Sequence, residues 1–150
     1  MEYRRAELND IPQLSALRKK QLQDEGQKPD VDMDEQLLEY FQRKMTDGDL
    51  VEWVAEKEDG TIIATAAIVF MEFPPAFTNP TGRKGYVANM YTAEEYRGQG
   101  IAGALMRKLE QEAKNRGIKK LVLHASALGR KAYVKSGFHE TDVVMEKDLI

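Results

Sequence analysis

Apolar residues recur along the first half of this chain with two different periods, and the change of period predicts helices followed by strands. Two stretches place apolar side chains three and four residues apart, as on one face of a helix, and Gly26 and Pro29 end the first of them. Later stretches alternate every second residue, and Asp59 followed by Gly60 is typical of a tight hairpin turn. The predicted elements in this half are a strand over 1–7, a helix from 11 to about 25, a helix from 32 or 34 to 47, and strands over 51–56 and 62–70.

The second half alternates strands with helices. A strand over 85–92 leads through a glycine-rich turn into a long amphipathic run, 101–116, and Gly117 stands where a helix commonly ends. A strand over 120–125, a short helix over about 128–135 and one or two final strands within 138–149, with Val143, Val144 and Met145 as their apolar part, complete the prediction. The order β-α-α-β-β-β-α-β-α-β joins a hairpin to a strand–helix–strand crossover, which predicts an α+β or α/β fold around a mixed sheet.

Residues 72–82 contain three prolines and no periodicity, so they form a loop. Phe73 and Phe77 within it favour either packing over the core or a role as a substrate lid.

The amino-acid composition argues against several classes of function. The chain has 150 residues, 42% hydrophobic and 31% charged, which fits one soluble domain, and its net charge of −3 without a basic stripe argues against nucleic-acid binding. The absence of cysteine excludes disulfides and a cysteine nucleophile, and two histidines argue against a metal centre. With no signal-peptide core and no apolar run of membrane length, we expect a cytoplasmic protein without a membrane partner.

The most informative stretch is the turn over 96–103, which lies between a predicted strand and a predicted helix. Its small residues leave backbone N–H groups uncovered at a helix N-terminus, which is a seat for a phosphorylated ligand. The spacing Arg97-x-x-Gly100-x-Ala102 points further, to the pyrophosphate of coenzyme A and so to acyl transfer. A tight connection without a ligand is one alternative. A dinucleotide-binding fold is another, but its fingerprint follows the first strand of the fold.

Two stretches together resemble the GNAT family of acetyl-CoA-dependent N-acetyltransferases. Residues 90–103 are similar to the family's Arg/Gln-x-x-Gly-x-Gly/Ala signature with its preceding strand, and residues 132–138 are similar to its tyrosine-containing helix ending in Gly-Phe. The resemblance implies the acyl-CoA N-acyltransferase fold with a splayed pair of central strands. It also implies one acetyltransferase domain over 1–150, with acetyl-CoA as co-substrate and no metal.

The resemblance assigns roles to particular positions. The turn amides would bind the pyrophosphate, and the strand end before the turn would hold the pantetheine arm and offer an oxyanion donor near the thioester. The implied coenzyme-binding residues are Met90, Tyr91, Thr92, Arg97, Gly98, Gln99, Gly100, Ile101, Ala102, Gly103 and, with a one-residue offset from the family pattern, Ser126.

The chemistry follows from the same comparison. Without a cysteine to carry the acetyl group, we expect direct attack by the amine within a ternary complex. Tyr133 matches the family's general acid, the alternative being a packed aromatic. The glutamate that many relatives use as base is missing from 84–92, and Val122 occupies the later strand position. His124, Glu72 or an ordered water is the candidate base.

Alternative functions stay open at this stage. The leading hypothesis is acetylation of a small-molecule or peptide amine. A coenzyme-binding module without catalysis is the second, and transfer of a longer acyl chain is the third. The acids Asp30, Asp32, Asp34 and Glu35 favour a cationic acceptor or simply form a solvated helix start. A homodimer is also considered.

Overall fold

The computed structural model describes residues 1–141 and 143–150. It contains five strands and four α-helices in the described residues: β1 Glu2–Arg5, α1 Ile11–Asp24, α2 Asp34–Asp47, β2 Leu50–Glu56, β3 Ile62–Glu72, β4 Arg83–Thr92, α3 Ile101–Asn115, β5 Leu121–Val122 and α4 Arg130–Lys135. None of these helices is both long and apolar enough to cross a lipid bilayer.

The strands form a mixed sheet in the spatial order β1-β2-β3-β4-β5. The first four strands pair antiparallel with their neighbours, β1 with β2 across the two helices α1 and α2 and the others through loops, whereas β5 pairs parallel to β4. A parallel neighbour requires a crossover, and α3 supplies it between β4 and β5. The predicted mixed sheet and the predicted order of the first nine elements are therefore confirmed.

The sheet has helices on both faces, and each face has its own core. On one face, Ile68 and Val87 pack with Leu105 and Leu109 of α3. On the other face, Val54 and Ala67 pack with α1 and α2. Because β3 is covered on both sides, its residues Ile62–Ile68 are buried without alternation, which explains why this strand stands out in the sequence as a continuous apolar run.

The C-terminal part differs from the prediction. The strand expected over 120–125 pairs only over Leu121–Val122, and no strand forms in the described part of 138–149; Asp142 lies outside the described residues. Val143, Val144 and Met145 are exposed. Alternating apolar residues indicate that a segment can form a strand, but a strand also needs a neighbour with free backbone groups over the same length. A β5 of two residues provides little length for a further strand to pair with.

A buried carboxylate ties α3 to the first two strands. Arg5 donates from Nε and Nη2 to the two carboxylate oxygens of Glu112, at 2.7 and 2.6 Å, and Trp53 Nε1 donates to Glu112 Oε1 at 3.0 Å. Glu112 is buried, so these donors replace the water that its charge would otherwise require.

Glu112→Ala should lower the free energy of unfolding by about 2 kcal/mol, because it leaves the Trp53 N–H unsatisfied and removes a packed side chain. The cost is moderate because the side chain of Arg5 is 59% exposed and can return to water. Urea unfolding followed by circular dichroism measures the effect. Glu110→Ala, on the same helix, is the control and should change stability by less than about 0.5 kcal/mol. Equal losses in the two variants would contradict this account of the network.

Candidate functional site

The glycine-rich turn before α3 presents a row of uncovered backbone amides. Gly98 and Gly100 have φ of 77° and 81°, the left-handed region that favours glycine, and no atom lies within 4 Å of the position a Cβ would take. The N–H of Ala104 bonds the Gly100 carbonyl at 3.1 Å. Among the described residues, no backbone acceptor meets the amides of 98–103. With no acidic side chain in the first turn of α3, the positive end of the helix dipole also faces this row.

Arg97, expected to contact the pyrophosphate, is engaged within the protein instead. Its Nε donates to the Thr92 carbonyl at 2.9 Å, its Nη2 pairs with Asp24 at 3.2 Å, and its guanidinium lies over the Tyr91 ring. Its own N–H donates to the Glu94 carbonyl at 3.2 Å. The side chain thus connects the turn to the ends of β4 and α1.

Strands β4 and β5 part soon after they meet. Their pairing is limited to Gly85 with Leu121 and Tyr86 with Val122, while β4 continues to Thr92. Over 87–92 the β5-facing edge of β4 therefore has no strand partner in the described part of the chain. This confirms the splayed pair of strands and places Met90, Tyr91 and Thr92 along the open edge, next to the glycine-rich turn.

A bulge distorts the opposite edge of β4 at the same level. Thr65 pairs with Tyr91 and Ala67 pairs with Ala88, so two residues of β4, Asn89 and Met90, oppose a single residue of β3. Asn89 adopts φ of 52°, and Thr65 Oγ1 donates to its carbonyl at 2.6 Å. Bulges and left-handed non-glycine residues are often found beside active sites, where they redirect backbone groups.

Tyr133 lies half-buried on α4, with its ring centroid 6.1 Å from that of Phe138 in an edge-on arrangement. Gly129 sits beneath the phenol: a Cβ there would lie 2.7 Å from Tyr133 Cε2. Burial, together with the charge of Glu25, raises the pKa of Tyr133 above its ordinary value of 10. The phenol is therefore protonated at neutral pH and able to donate a proton.

Ser126, expected near the pantetheine, bonds the backbone at the start of α4. Its Oγ accepts from the Gly129 N–H at 3.2 Å and its carbonyl accepts from the Arg130 N–H at 3.1 Å. The serine therefore helps to fix the start of the helix that carries Tyr133.

The other sequence-predicted residues lie further out. His124 is exposed and follows the end of β5, so the expectation that it belongs to a strand is wrong. The centroid of its ring lies 5.5 Å from that of Tyr86, with the two rings nearly perpendicular. Glu72 is exposed at the end of β3. In the proline-rich loop Phe77 is fully exposed, and Phe73 lies beneath the ammonium of Lys84. Neither ring packs over the core.

The acidic run before α2 is partly engaged in local contacts. Asp32 accepts the Asp34 N–H at 3.0 Å, and Asp34 pairs with Lys19 at 2.6 Å. Both contacts are exposed, as expected for a solvated helix start.

The sequence analysis missed Glu52. This carboxylate on β2 is only 2% exposed, and Asn89 Nδ2 donates to its Oε2 at 3.4 Å. Burial raises the pKa of Glu52 to about 8, although the Asn89 amide and the charge of Arg18 lower it. The signal was available, because period-2 alternation puts Glu52 on the same buried face as Leu50 and Val54.

Within residues 1–141 and 143–150, no group of three or more histidine, cysteine, aspartate or glutamate side chains could hold a metal ion.

Comparison with known proteins agrees with this arrangement. The family described as "Acetyltransferase (GNAT) family" matches residues 12–138. A predicted acetyltransferase of Clostridium acetobutylicum, solved with acetyl-CoA, is 51% identical with a TM-score of 0.95, over 99% of this chain and 96% of that one. A GCN5-related N-acetyltransferase of Ralstonia eutropha is 28% identical with a TM-score of 0.90, over 99% and 97% of the two chains.

Curated relatives match over a shorter length. The uncharacterized N-acetyltransferase YycN of Bacillus subtilis is 41% identical over 70 residues, which is 45% of each chain, so the match spans less than half of that relative. Because the family match covers most of the present sequence, the chain belongs to the GNAT family of acetyltransferases. The resemblance inferred from the two motifs is thereby confirmed.

Stability should depend on pH through Glu52. Its pKa of about 8 in the folded protein lies above the ordinary 4.5, so the stability that the neutral carboxyl provides is fully present below pH 4.5 and is lost as pH rises through 8. Glu52→Gln cannot ionise. Between pH 5 and 9 the melting temperature of the wild type should fall by roughly 5 °C relative to this variant.

Circular dichroism melts at several pH values check this, with Glu39→Gln, an exposed carboxylate of α2, as the control that should follow the wild type. Parallel melting curves for wild type and Glu52→Gln would mean that Glu52 is not a neutral buried acid.

Proposed function

We propose that this chain transfers the acetyl group of acetyl-CoA to the amine of a small molecule or peptide, by direct attack within a ternary complex. The main support for the proposal is the row of uncovered amides at 98–103, which lies beside the open edge of β4. The chain also belongs to an acetyltransferase family. We treat residues 1–150 as one such domain, because both cores share one sheet.

The residues fit a coenzyme with a diphosphate and an extended arm. The amides of Gly98, Gln99, Gly100, Ile101, Ala102 and Gly103 offer donors to the diphosphate, supported by the dipole of α3. The backbone of Met90, Tyr91 and Thr92 offers donors and acceptors to the arm along the open edge of β4. When bound, acetyl-CoA supplies the thioester.

Arg97 and Ser126 act in this proposal as positioning residues. The Arg97 contacts to Thr92 and Asp24 hold the turn against the strand end, and Ser126 holds the start of α4. Neither side chain needs to touch the coenzyme for the amides and the phenol to be in place.

Tyr133 is the proposed proton donor to the leaving sulfur. Its raised pKa keeps the phenol protonated until the sulfur leaves. The ring packs edge-on against Phe138, and Gly129 leaves room for it. The chain has no cysteine, so the proposed reaction has no acetyl-cysteine intermediate. The cytoplasmic location and a homodimer remain predictions from the sequence.

Gln99→Glu should weaken acetyl-CoA binding by about tenfold, because it adds an isosteric negative charge beside amides that would meet a diphosphate. Calorimetric titration with acetyl-CoA measures the dissociation constant. Gln111→Glu, near the other end of α3, makes the same charge change away from the turn and should leave affinity within about twofold of wild type. Identical affinities in the two variants would place the diphosphate elsewhere.

Tyr133→Phe should lower kcat for amine-dependent thiol release by about 100-fold or more while the affinity for acetyl-CoA stays within about twofold, because only the proton donor is removed. Tyr3→Phe, on β1, is the matched control and should retain turnover. Acetyl-CoA binding without thiol release from the wild type, over a broad panel of amines, would favour the non-catalytic module instead.

A further inference from the structure

We propose that Glu52 is the general base of the acetyl transfer, whose carboxylate takes a proton from the ammonium form of the acceptor before the nitrogen attacks. The inference rests on the proposed function and adds a residue that neither the two sequence motifs nor the family match assigns.

The first observation is where the carboxyl lies. Glu52 is held by the amide of Asn89, the bulge residue of β4, with Asn89 Nδ2 at 3.4 Å from Glu52 Oε2. The next residue, Met90, begins the segment proposed to face the thioester. Glu52 therefore lies one side chain away from the strand segment proposed to bind the coenzyme, on the sheet face covered by α1 and α2, opposite α3.

The second observation is the set of polar groups around this carboxyl. Arg18 comes from α1, Tyr40 from α2, Thr65 from β3 and Asn89 from β4. Burial raises the pKa of Tyr40, and the charges of Arg18 and Glu52 shift it in opposite directions, so these three groups share one neighbourhood.

Tyr86 links this neighbourhood to the proposed acid. Burial is the main cause of the raised pKa of both Tyr40 and Tyr133, and Tyr86 adds to the rise in each. Tyr40 and Tyr86 are half-buried, whereas Glu52 is buried. In the proposed reaction the acceptor amine enters among these half-buried tyrosines to reach the buried Glu52.

The proton balance gives each residue one task. The Glu52 carboxylate takes one proton from R–NH3+ and becomes a neutral carboxyl group, which leaves the nitrogen a lone pair. That lone pair forms the C–N bond as the C–S bond breaks. Tyr133 gives its hydroxyl proton to the departing sulfur and regains a proton from the nitrogen. The proton on Glu52 then passes to solvent, which restores the carboxylate.

Glu52 is better suited than an exposed carboxylate to take a proton from the ammonium group, because its pKa is higher. A general base is most effective when its pKa lies near the working pH, and burial has brought the pKa of Glu52 to about 8. An ordinary carboxylate is too weak a base to accept a proton readily from an ammonium whose pKa is near ~10.

The test compares two acceptors of matched shape on the full chain. A panel of primary alkylamines first identifies a turned-over amine. Its analogue with a trifluoromethyl group on the carbon that bears the nitrogen, which keeps that nitrogen neutral at pH 7, serves as the second acceptor. Glu52→Gln should lower kcat/KM for the alkylamine by about 100-fold and for the fluorinated amine by less than about fivefold. A purely structural role would reduce both equally. Glu39→Gln is the control and should leave both values unchanged.

A second readout is the pH profile. The wild-type kcat/KM for the fluorinated amine should not require an ionised Glu52. The kcat/KM for the alkylamine should rise with pH, with an inflection near pH 8. The Glu52→Gln variant should lose this inflection, and the Glu52→Asp variant should keep it. Equal losses for the two amines, or an unchanged inflection in Glu52→Gln, would overturn the proposal and leave the proposed function standing. A His124→Asn variant that removes the inflection would assign the base to His124 instead. If the wild type turns over no amine, both proposals fail.

Discussion

The arrangement of the site depends on the incomplete backbone pairing of β4, one edge of which is hydrogen-bonded to a neighbouring strand over only part of its length. One edge pairs with β3 along the strand, but the other meets β5 over two residue pairs and is then left open. Backbone N–H and C=O groups inside a fold need partners, so an open edge within a sheet requires water or a ligand to satisfy it. Because α3 leaves from the end of the same strand, its N-terminal amides open toward the same place.

The two faces of the sheet differ in the number of polar groups that they bury. The face under α3 carries the larger apolar cluster, and the Glu112 network links that helix to β1 and β2. The face under α1 and α2 has a smaller apolar cluster together with the buried carboxyl, the bulge residue and half-buried tyrosines. A rigid scaffold on one side can therefore support polar groups on the other that are costly to bury.

The sequence predicted most of the helices and strands because their signals are local. The glycine spacing, the amphipathic run after it and the tyrosine helix each lie within about fifteen residues, as helices and turns are set by near neighbours. The length of β5 and the fate of 143–145 depend on a partner strand that no local pattern specifies. The direction of the Arg97 side chain was equally out of reach, because Asp24 lies 73 residues away in the sequence. Alternation along β2 predicts that Glu52 is buried. Its importance depends on the contact with Asn89, a residue of β4 that only the fold brings next to it.

The close approach of Tyr133 to Gly129 restricts how this site can change. The phenol occupies the volume that a Cβ at 129 would need, so any residue other than glycine there would displace the ring. A change in the acid strength or position of the phenol must then come from its other neighbours, such as Phe138 or the charge of Glu25. Such an enzyme would adapt to a new acceptor by changing the residues around the phenol while keeping glycine at 129.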